Sequence, residues 1–561
     1  MNRPLANVFS LINLRRVLVV GAAGVVLYAE KLTAEERLRT GGVGSPPLLV
    51  WQLFGVAALL FALGAWPTAL RGGLPGPWGA ALRKQPRLRP ALALGAAAVV
   101  LALATIPLFM TINGAAVGPV TRDSAQWGWP LWIIALLLFG AACAVWEWRA
   151  PAPTEGQVAD PPGDRLPARV EWAILAALLV GAGALRLWNL DNVPPGLWFD
   201  EAQNGIVGLN LLKAGAIHPT FIADFTQMGA LPFYFFGLVL KVTGTLVWPL
   251  RLLPALAGAI IAPLLYLLGA RLYGWRVGLA AGGLVAVSAW NLTFSRFGIV
   301  SLMTVAVDVA VYLCAAQALR TGRLGYYAGA GVLLGLALQT YYAARLVPLV
   351  LIALLLHQLV SSRGRLLRTA GLGLLIFTVG GLLAFLPVGL FALQQPAVFN
   401  GRINDVSVFN PAVNGGNPNA FSTSLNLHLL MFNFHGDSNG RHNLPGAPML
   451  DDITAALFFL GLGACLLRAW RWQYAFPVLW FASALSGGVL SLPFEAPQSH
   501  RTLENSVVTA LLAGIVLGEL WALLTRVRMP ARVTEADLTT VAVRRRPTRA
   551  APPALARTTL P

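Results

Sequence analysis

Long apolar stretches recur along the whole of this 561-residue chain, and they limit its fold more than any other feature. Each has about 17–25 mostly apolar residues, which is the length that a helix needs to cross a bilayer. Only 11% of the residues are charged, against about 25% in a soluble domain. The sequence therefore predicts an all-α polytopic integral membrane protein. We therefore interpret the net charge of +18 as the result of basic residues that orient the chain in the membrane, and we predict no nucleic-acid partner.

Fourteen transmembrane spans are predicted from these stretches. They lie at about 14–29, 47–69, 91–112, 129–148, 170–190, 251–270, 277–294, 302–319, 326–341, 345–360, 368–392, 453–468, 475–492 and 504–525. A further apolar stretch, Leu231–Trp248, is either a span or a helix lying in the membrane interface. If it lies in the interface, 28 of the 41 Lys and Arg residues fall on the cytoplasmic side, as the positive-inside rule requires. We therefore predict an interfacial helix, a multi-pass protein of the cell membrane, and two cytoplasmic termini.

The chain divides into parts of different character. Residues 1–149 carry four spans with few polar residues, and residues 150–169 form a Pro- and Ala-containing cytoplasmic linker. Residues 170–527 form a core with ten spans and a long loop at 393–452, and residues 528–561 form a basic cytoplasmic tail. The polar segments of the core, at 191–230, 295–301, 341–346, 393–452 and 493–503, all fall on the outer side in this topology. We therefore predict that the active site lies on the outer face of the membrane.

Two adjacent carboxylates, Asp200 and Glu201, follow the first core span and open a helix-like apolar pattern. Acidic residues are favoured at a helix N-terminus, so capping is one explanation for them. Carboxylates beside a membrane are costly unless they are paired, which favours a functional role. Arginines at the outer ends of spans, Arg345 and Arg501 above all, run against the positive-inside rule. A guanidinium binds phosphate oxygens in pairs, so these arginines are candidate phosphate ligands.

Several motifs, taken in order, resemble those of the GT-C membrane glycosyltransferases, in particular the protein O-mannosyltransferase and aminoarabinose transferase families. Asp200-Glu201 resembles the acidic signature after the first core span, and Gln227-Met-Gly-Ala-Leu-Pro-Phe-Tyr resembles a Glu-Lys-Pro-Pro-Leu-Pro-Tyr segment. Ser295-Arg296 and Tyr341-Tyr-Ala-Ala-Arg345-Leu-Val-Pro resemble later family motifs. Phe434-His-Gly-Asp437-Ser-Asn-Gly-Arg441-His442-Asn resembles the large outer loop of bacterial members. The resemblance covers about 170–525 and leaves 1–169 unmatched.

This resemblance implies the GT-C fold and transfer of a sugar from a polyprenyl-phosphate donor to an acceptor protein or glycolipid, by direct displacement that inverts the anomeric centre. Asp200 would be the general base and Glu201 its support, and Arg345, Arg501 and Arg296 would bind the donor phosphate. The candidate substrate-binding residues are Asn204, Asp224, Gln227, Tyr341, Tyr342, Asp437, Arg441, His442 and His500. Membrane lipids are the other expected partners.

A divalent metal ion is predicted less strongly than the phosphate-binding arginines, and no other cofactor is expected. Asp437 and His442, together with Glu201 or Asp224, have suitable ligand atoms, but Asp and His in a loop are more often hydrogen-bonding residues. Gln227 also stands where the aminoarabinose transferases carry a metal-binding Glu. The metal is therefore left open.

A multi-span transporter or a lipid-linked sugar flippase is the alternative function. Such proteins place charged residues within their spans along a pathway. Asp308 is the clearest acidic residue in the middle of a predicted span, with Glu147 and Glu519 nearer the span ends. Because most candidate acids lie outside the spans, the sequence favours the transferase.

Overall fold

The computed structural model describes residues 89–149 except 116, 118 and 119, residues 166–361 except 225, and residues 365–526. The predicted spans at 14–29 and 47–69, most of the 150–169 linker and the 528–561 tail lie outside this part of the chain. The regular secondary structure of these segments is helical, apart from one short hairpin. The helices are α1 (Arg89–Ile112), α2 (Arg122–Ala125), α3 (Gly128–Arg149), α4 (Ala168–Leu187), α5 (Phe199–Leu211), α6 (Leu231–Thr243), α7 (Val247–Tyr273), α8 (Trp275–Val287), α9 (Ala289–Ser295), α10 (Val300–Thr321), α11 (Leu324–Ala337), α12 (Val347–Ser361), α13 (Arg365–Gln394), α14 (Pro396–Val406), α15 (Pro411–Asn414), α16 (Ala420–Leu430), α17 (Asp452–Leu466), α18 (Trp472–Val489) and α19 (Asn505–Arg526), with 3₁₀ turns at Tyr342–Leu346 and Pro493–Glu495.

The predicted all-α membrane class is confirmed. Within the described residues, eight helices are long and apolar enough to cross a membrane, and α8 with α9 makes a ninth if that pair is one span. The two helices of the pair meet at 56°. The predicted spans at 326–341 and 453–468 form the shorter helices α11 and α17, of 14 and 15 residues. The count of fourteen spans therefore stays a prediction.

The ambiguous stretch after residue 230 forms α6, a helix of only 13 residues. At 1.5 Å per residue it is about 20 Å long, less than the ~30 Å thickness of the hydrocarbon core. It packs closely on α5 where Gly208 and Gly237 meet, because a Cβ at Gly208 would lie 2.6 Å from the Gly237 nitrogen. The length of α6 agrees with the predicted interfacial helix and does not agree with a straight span.

The hairpin lies between α5 and α6 in the chain. Its strands are β1 (Phe221–Ile222) and β2 (Met228–Gly229), which pair antiparallel with Phe221 opposite Gly229. β2 lies so close to the end of α11 that a Cβ at Gly229 would be 1.9 Å from the Gln339 carbonyl oxygen. The tip of the hairpin carries Asp224 and Gln227. This contact fixes the tip relative to the core helices.

The main apolar core joins helices from both halves of the described chain. Trp290, Tyr312 and Trp480 are among its largest buried side chains, and α7, α8, α10 and α19 supply much of the rest. Helices α1 and α3 pack against each other and onto α11 and α13 through a second apolar cluster around Phe139 and Leu383. The first described helices are thus attached to the core by direct packing.

Candidate active site

Polar segments that are far apart in the sequence contact one another at one end of the helix bundle. Trp198 and Asp200 at the start of α5 meet Arg441 of the long loop. The backbone of Gly298, just after α9, meets Glu201. Tyr341 stacks against His500, and Arg345 bonds to Asn400. All five segments that the sequence analysis selected therefore take part in one connected region, which we call the site end.

Glu201 is fully buried, and protein groups already occupy its carboxylate oxygens. Arg251 of α7 donates to Oε1 from Nε at 2.9 Å and to Oε2 from Nη2 at 3.1 Å. The N–H of Gly298 donates to Oε1 at 2.7 Å, and the N–H of Trp198 donates to Oε2 at 3.0 Å. Trp198 precedes α5, so Glu201 satisfies one of the N–H groups at the start of that helix. A carboxylate with four donors is an anchor for the local fold.

Arg251 completes this anchor with its remaining donors. Nη1 donates to the carbonyls of Leu190 and Pro194, and Nη2 donates to the carbonyl of Gly196 at 2.6 Å. All five guanidinium N–H groups are therefore used, and the side chain is 0% exposed. Arg251 ties the loop between α4 and α5 to α7, and so fixes where α5 begins.

Asp200 differs from its neighbour in exposure and in partners. Its side chain is 45% exposed and forms an ion pair with Arg441, whose Nη1 lies 3.7 Å from Oδ2. The Arg441 guanidinium also lies 4.0 Å from the centre of the Trp198 ring and bonds to Asn439 Oδ1. The capping hydrogen bond belongs to Glu201, so Asp200 keeps an accessible carboxylate at the helix N-terminus. Such a group is able to accept a proton from a bound molecule.

A second cluster of polar side chains lies behind Arg441. Asp437 Oδ2 accepts hydrogen bonds from the Ser499 hydroxyl at 2.6 Å and the Ser499 N–H at 2.9 Å, and lies 3.0 Å from His442 Nδ1. Burial raises the pKa of Asp437, but the hydrogen bonds from His442, Ser499 and Asn439 outweigh it and hold that pKa below its usual value. The cluster therefore fastens the long loop to the segment before α19.

His500 lies between aromatic rings in this region. Its ring centre is 5.4 Å from that of Phe294 and 5.7 Å from that of Tyr341, and Nε2 is 2.9 Å from Ser301 Oγ. Burial lowers the pKa of His500 well below its usual value, and the nearby His442 and Arg501 lower it further. His500 is thus neutral near pH 7, and in that state it does not supply a positive charge for an anion.

Arg501 has a guanidinium nitrogen without a partner. The side chain is 8% exposed, and no described residue hydrogen-bonds to its buried Nη1. Its guanidinium carbon lies 6.0 Å from the Tyr342 ring centre. It lines a cavity with space for about one water molecule, together with Ser301, Thr304, Asp308 and Tyr341. Because an unpaired buried cation is costly, this nitrogen is a candidate anion ligand.

Arg345 and the two tyrosines lie on the same side of the site end. Arg345 stacks on the Phe399 ring at 3.6 Å and donates to the Phe399 carbonyl at 3.0 Å and to Asn400 Oδ1 at 3.3 Å. The Tyr341 hydroxyl donates to the Tyr342 hydroxyl at 2.7 Å. Phe399 and Asn400 belong to α14, and Gln227 also lies beside this helix. A Cβ at Gly401 of α14 would be only 3.1 Å from Gln227 Oε1.

Arg296 has different neighbours from those that the sequence analysis expected of a phosphate ligand. Within the described part of the chain, its guanidinium donates to carbonyl groups at and after the end of α4, namely those of Leu185, Arg186, Trp188, Asn189 and Val193. A cation that bonds the last carbonyls of a helix satisfies their unpaired oxygens and interacts favourably with the helix dipole. Asn204 also contacts the scaffold, since its Nδ2 donates to the Gly298 carbonyl at 2.9 Å.

Possible metal ligands are not gathered in the described part of the chain. No group of three or more His, Cys, Asp and Glu side chains is arranged there to hold a metal ion. Glu201 and Asp437, two of the residues considered as ligands, bond to Arg251 and to Ser499 and His442 respectively. Asp224 is exposed at the hairpin tip.

Two buried arginines were missed by the sequence analysis. Arg251 anchors Glu201, and Arg186 near the end of α4 donates to Ser295 Oγ at 3.0 Å and Asn291 Oδ1 at 2.8 Å. Arg186 lies in the last turn of α4 and Arg251 near the start of α7, the two helix ends that contact the site end. The positive-inside reasoning that selected Arg345 and Arg501 applies equally to these two, so the signal was present in the sequence.

Comparison with known families supports the resemblance seen in the motifs. Residues 228–390 match the family model described as dolichyl-phosphate-mannose-protein mannosyltransferase. The predicted resemblance to GT-C membrane glycosyltransferases is confirmed. The match begins at β2, so it includes Arg296, Arg345 and the segment that follows Gln227. It leaves out Asp200, Glu201, Arg441 and Arg501. No curated protein sequence matches the chain.

Two solved structures that are similar to part of this chain are distant from it in sequence. The oligosaccharyltransferase AglB from Archaeoglobus fulgidus, in complex with an inhibitory peptide and a dolichol-phosphate, is 13% identical at a TM-score of 0.42, over 67% of this chain and 54% of its own. ArnT from Cupriavidus metallidurans, bound to undecaprenyl phosphate, is 16% identical at a TM-score of 0.45, over 67% of this chain and 64% of its own. This chain therefore spans only about half to two thirds of those two chains.

Proposed function

We propose that this GT-C protein transfers a sugar from a polyprenyl-phosphate donor to a hydroxyl group of an acceptor protein or glycolipid on the outer face of the membrane. The observation that carries the proposal is the division between two adjacent carboxylates. Glu201 is buried and holds the fold, whereas Asp200 is accessible and lies beside Arg441. The family description for residues 228–390 supports a lipid-phosphate sugar donor.

The reaction is a single displacement at the anomeric carbon of the sugar. The acceptor hydroxyl oxygen forms a bond to that carbon, the bond from the carbon to the phosphate oxygen breaks, and Asp200 takes the hydroxyl proton. The leaving polyprenyl phosphate carries the electron pair and gains one negative charge. A phosphate is a good leaving group, so the site needs cations more than it needs an acid. This route inverts the anomeric configuration.

Arg501 and Arg345 are the cations that we assign to the donor phosphate. Arg501 keeps a buried Nη1 that bonds to none of the described residues, and Arg345 uses only part of its donors on α14. A guanidinium supplies paired donors to phosphate oxygens. Arg296 is left out of this assignment because its donors bond the end of α4. Tyr341 and Tyr342, near Arg501, would contact the donor, and Arg441 and His442 would contact the sugar or the acceptor.

The direct test is a transfer assay with purified full-length protein in lipid nanodiscs. The probes are polyprenyl-phosphate mannose and polyprenyl-phosphate glucose, with a membrane extract as the source of acceptors. We expect release of polyprenyl phosphate and transfer of label with one of the two donors. Movement of an intact labelled donor between leaflets, without its cleavage, would instead support the flippase alternative and contradict the proposal.

Loss of the positive charge of Arg501 is expected to weaken binding of the polyprenyl-phosphate donor. Arg501→Gln keeps a polar side chain but shortens it and removes its charge, so it removes a charged hydrogen bond worth about 1.5–3 kcal/mol. We expect the KM for the polyprenyl-phosphate donor to rise about 10- to 100-fold. The matched control is Lys241→Gln at an exposed position near the end of α6. An unchanged donor KM in Arg501→Gln would contradict the assignment.

A further inference from the structure

Helices α1–α3 touch the segment that leads into the hairpin. The family match begins at residue 228, so these helices lie outside it. The side chains of Gln126, just after α2, and of Trp129, in the first turn of α3, contact the chain at His218. His218 is only three residues before β1, and the tip of the hairpin bears two of the candidate site residues. The contact therefore joins the first described helices to the site end.

Residue 218 is held at three of its atoms. Gln126 Oε1 accepts a hydrogen bond from the His218 N–H at 3.1 Å and lies 2.7 Å from His218 Nδ1. Trp129 Nε1 donates to the His218 carbonyl at 2.9 Å. Both backbone groups of His218 are thus bound by side chains from another part of the chain. A backbone bound at both its N–H and its carbonyl has little freedom to shift.

A second connection lies two residues further on. The hydroxyl of Thr220, which is fully buried, donates to Asn113 Oδ1 at 2.6 Å, just after the end of α1. The Asn113 carbonyl accepts from Gln395 Nε2 at 2.9 Å, immediately before α14. Asn113 therefore links the hairpin to α14. The carbonyl of Thr220 in turn accepts from the Ala230 N–H at 2.9 Å and closes the base of the hairpin.

Aromatic packing supports the same contact. The Trp129 ring lies edge-on to Tyr234 of α6 at 5.5 Å, and the Tyr234 hydroxyl donates to the Pro219 carbonyl at 2.9 Å. Phe221 of β1 stacks on Phe391 of α13 at 4.5 Å. The segment from His218 to Phe221 is therefore bound on both sides, by α1–α3 on one and by α6 and α13 on the other.

We propose that helices α1–α3 are a positioning element of the transfer site, which holds the hairpin and, through it, Asp224 and Gln227. Gln126, Trp129 and Asn113 are positioning residues, since they act through the segment from His218 to Phe221. The part of this proposal that concerns catalysis depends on the proposed function; the part that concerns the position of the hairpin does not. Loss of the contact is expected to affect acceptor binding more than the chemical step.

The test compares two tryptophans on the same helix in the full-length protein. Trp129→Phe removes the hydrogen bond to His218 and keeps an aromatic ring. Trp132→Phe removes an equivalent bond to the Leu383 carbonyl of α13, 2.8 Å long, and keeps an aromatic ring against Trp129, so it is the matched control. Hydrogen exchange of the peptide 213–230 is the first measurement, and the acceptor KM and kcat are the second.

We expect Trp129→Phe to speed exchange in 213–230 about fivefold, which corresponds to one lost hydrogen bond, and to raise the acceptor KM with little change in kcat. Trp132→Phe is expected to leave exchange in 213–230 at the wild-type rate. Equal exchange in both variants and the wild type would overturn the proposal. If neither the wild type nor the variants transfer sugar, the proposed function fails. The exchange rates would still decide whether α1–α3 hold the hairpin in place.

Discussion

Replacing Arg251 by methionine is expected to lower the free energy of unfolding by about 3–5 kcal/mol, because it leaves the Glu201 carboxylate buried without its charge partner. Both side chains are 0% exposed, so water does not compensate for the loss. The carbonyls of Leu190, Pro194 and Gly196 also lose their donor. The free energy is measured by reversible unfolding in mixed micelles, relative to the wild type.

A control for this prediction lies on the same helix. Arg271 of α7 forms an ion pair with Glu171 at 2.9 Å, but the two side chains are 32% and 23% exposed. Exposed pairs contribute about 0–1 kcal/mol, so Arg271→Met is expected to stay within that range. If Arg251→Met were no more destabilising than Arg271→Met, Glu201 would not be the anchor described above.

Asp200→Asn is expected to lower kcat for sugar transfer by about 10²–10⁴-fold, the contribution of a well-placed general base. The amide keeps the size of the carboxylate and its position near Arg441, but it does not take the proton from the hydroxyl group of the acceptor molecule. The KM for the lipid donor is expected to change little, since the donor phosphate is assigned to Arg501 and Arg345. The rates are measured by release of polyprenyl phosphate.

Asp451→Asn is the matched control for this variant. Asp451 precedes α17, and its Oδ1 accepts from the Thr454 N–H at 3.0 Å, so it is also a carboxylate at a helix start. Asn is an equally good N-cap residue, and we expect this variant to retain wild-type activity and stability. Turnover at the wild-type rate by Asp200→Asn would mean that the carboxylate only favours the start of α5, an effect of about 0.3–1 kcal/mol.

The helical class could be predicted because apolar length is a local property of the sequence. The 13-residue length of α6 agrees with the interfacial helix that the charge pattern around Leu231–Trp248 favours, and that placement stays a prediction. The break between α8 and α9 could not be predicted, because the apolar pattern continues across Ser288 while the chain turns by 56°. The hydropathy of a segment does not indicate where the helix axis changes direction.

The roles of neighbouring polar residues were harder to predict than their presence. Asp200 and Glu201 are equivalent in the sequence, yet one is half-exposed and the other is buried. Their difference depends on Arg251, fifty residues away, and on a backbone N–H at Gly298. Arg296 likewise looks like Arg345 in the sequence, and only the end of α4 beside it reveals a helix cap. The position of Arg251 carries a signal in the sequence, but its pairing with Glu201 does not.

The anomeric configuration of the transferred sugar tests direct displacement most directly. Wild-type protein in nanodiscs is given polyprenyl-phosphate β-mannose, and the first product formed is analysed by nuclear magnetic resonance. If Asp200 activates the acceptor hydroxyl for a single displacement, the product is an α-mannoside. A β-mannoside would require two displacements, with a carboxylate such as Asp200 bonded to the sugar between them, and would contradict its role as a base.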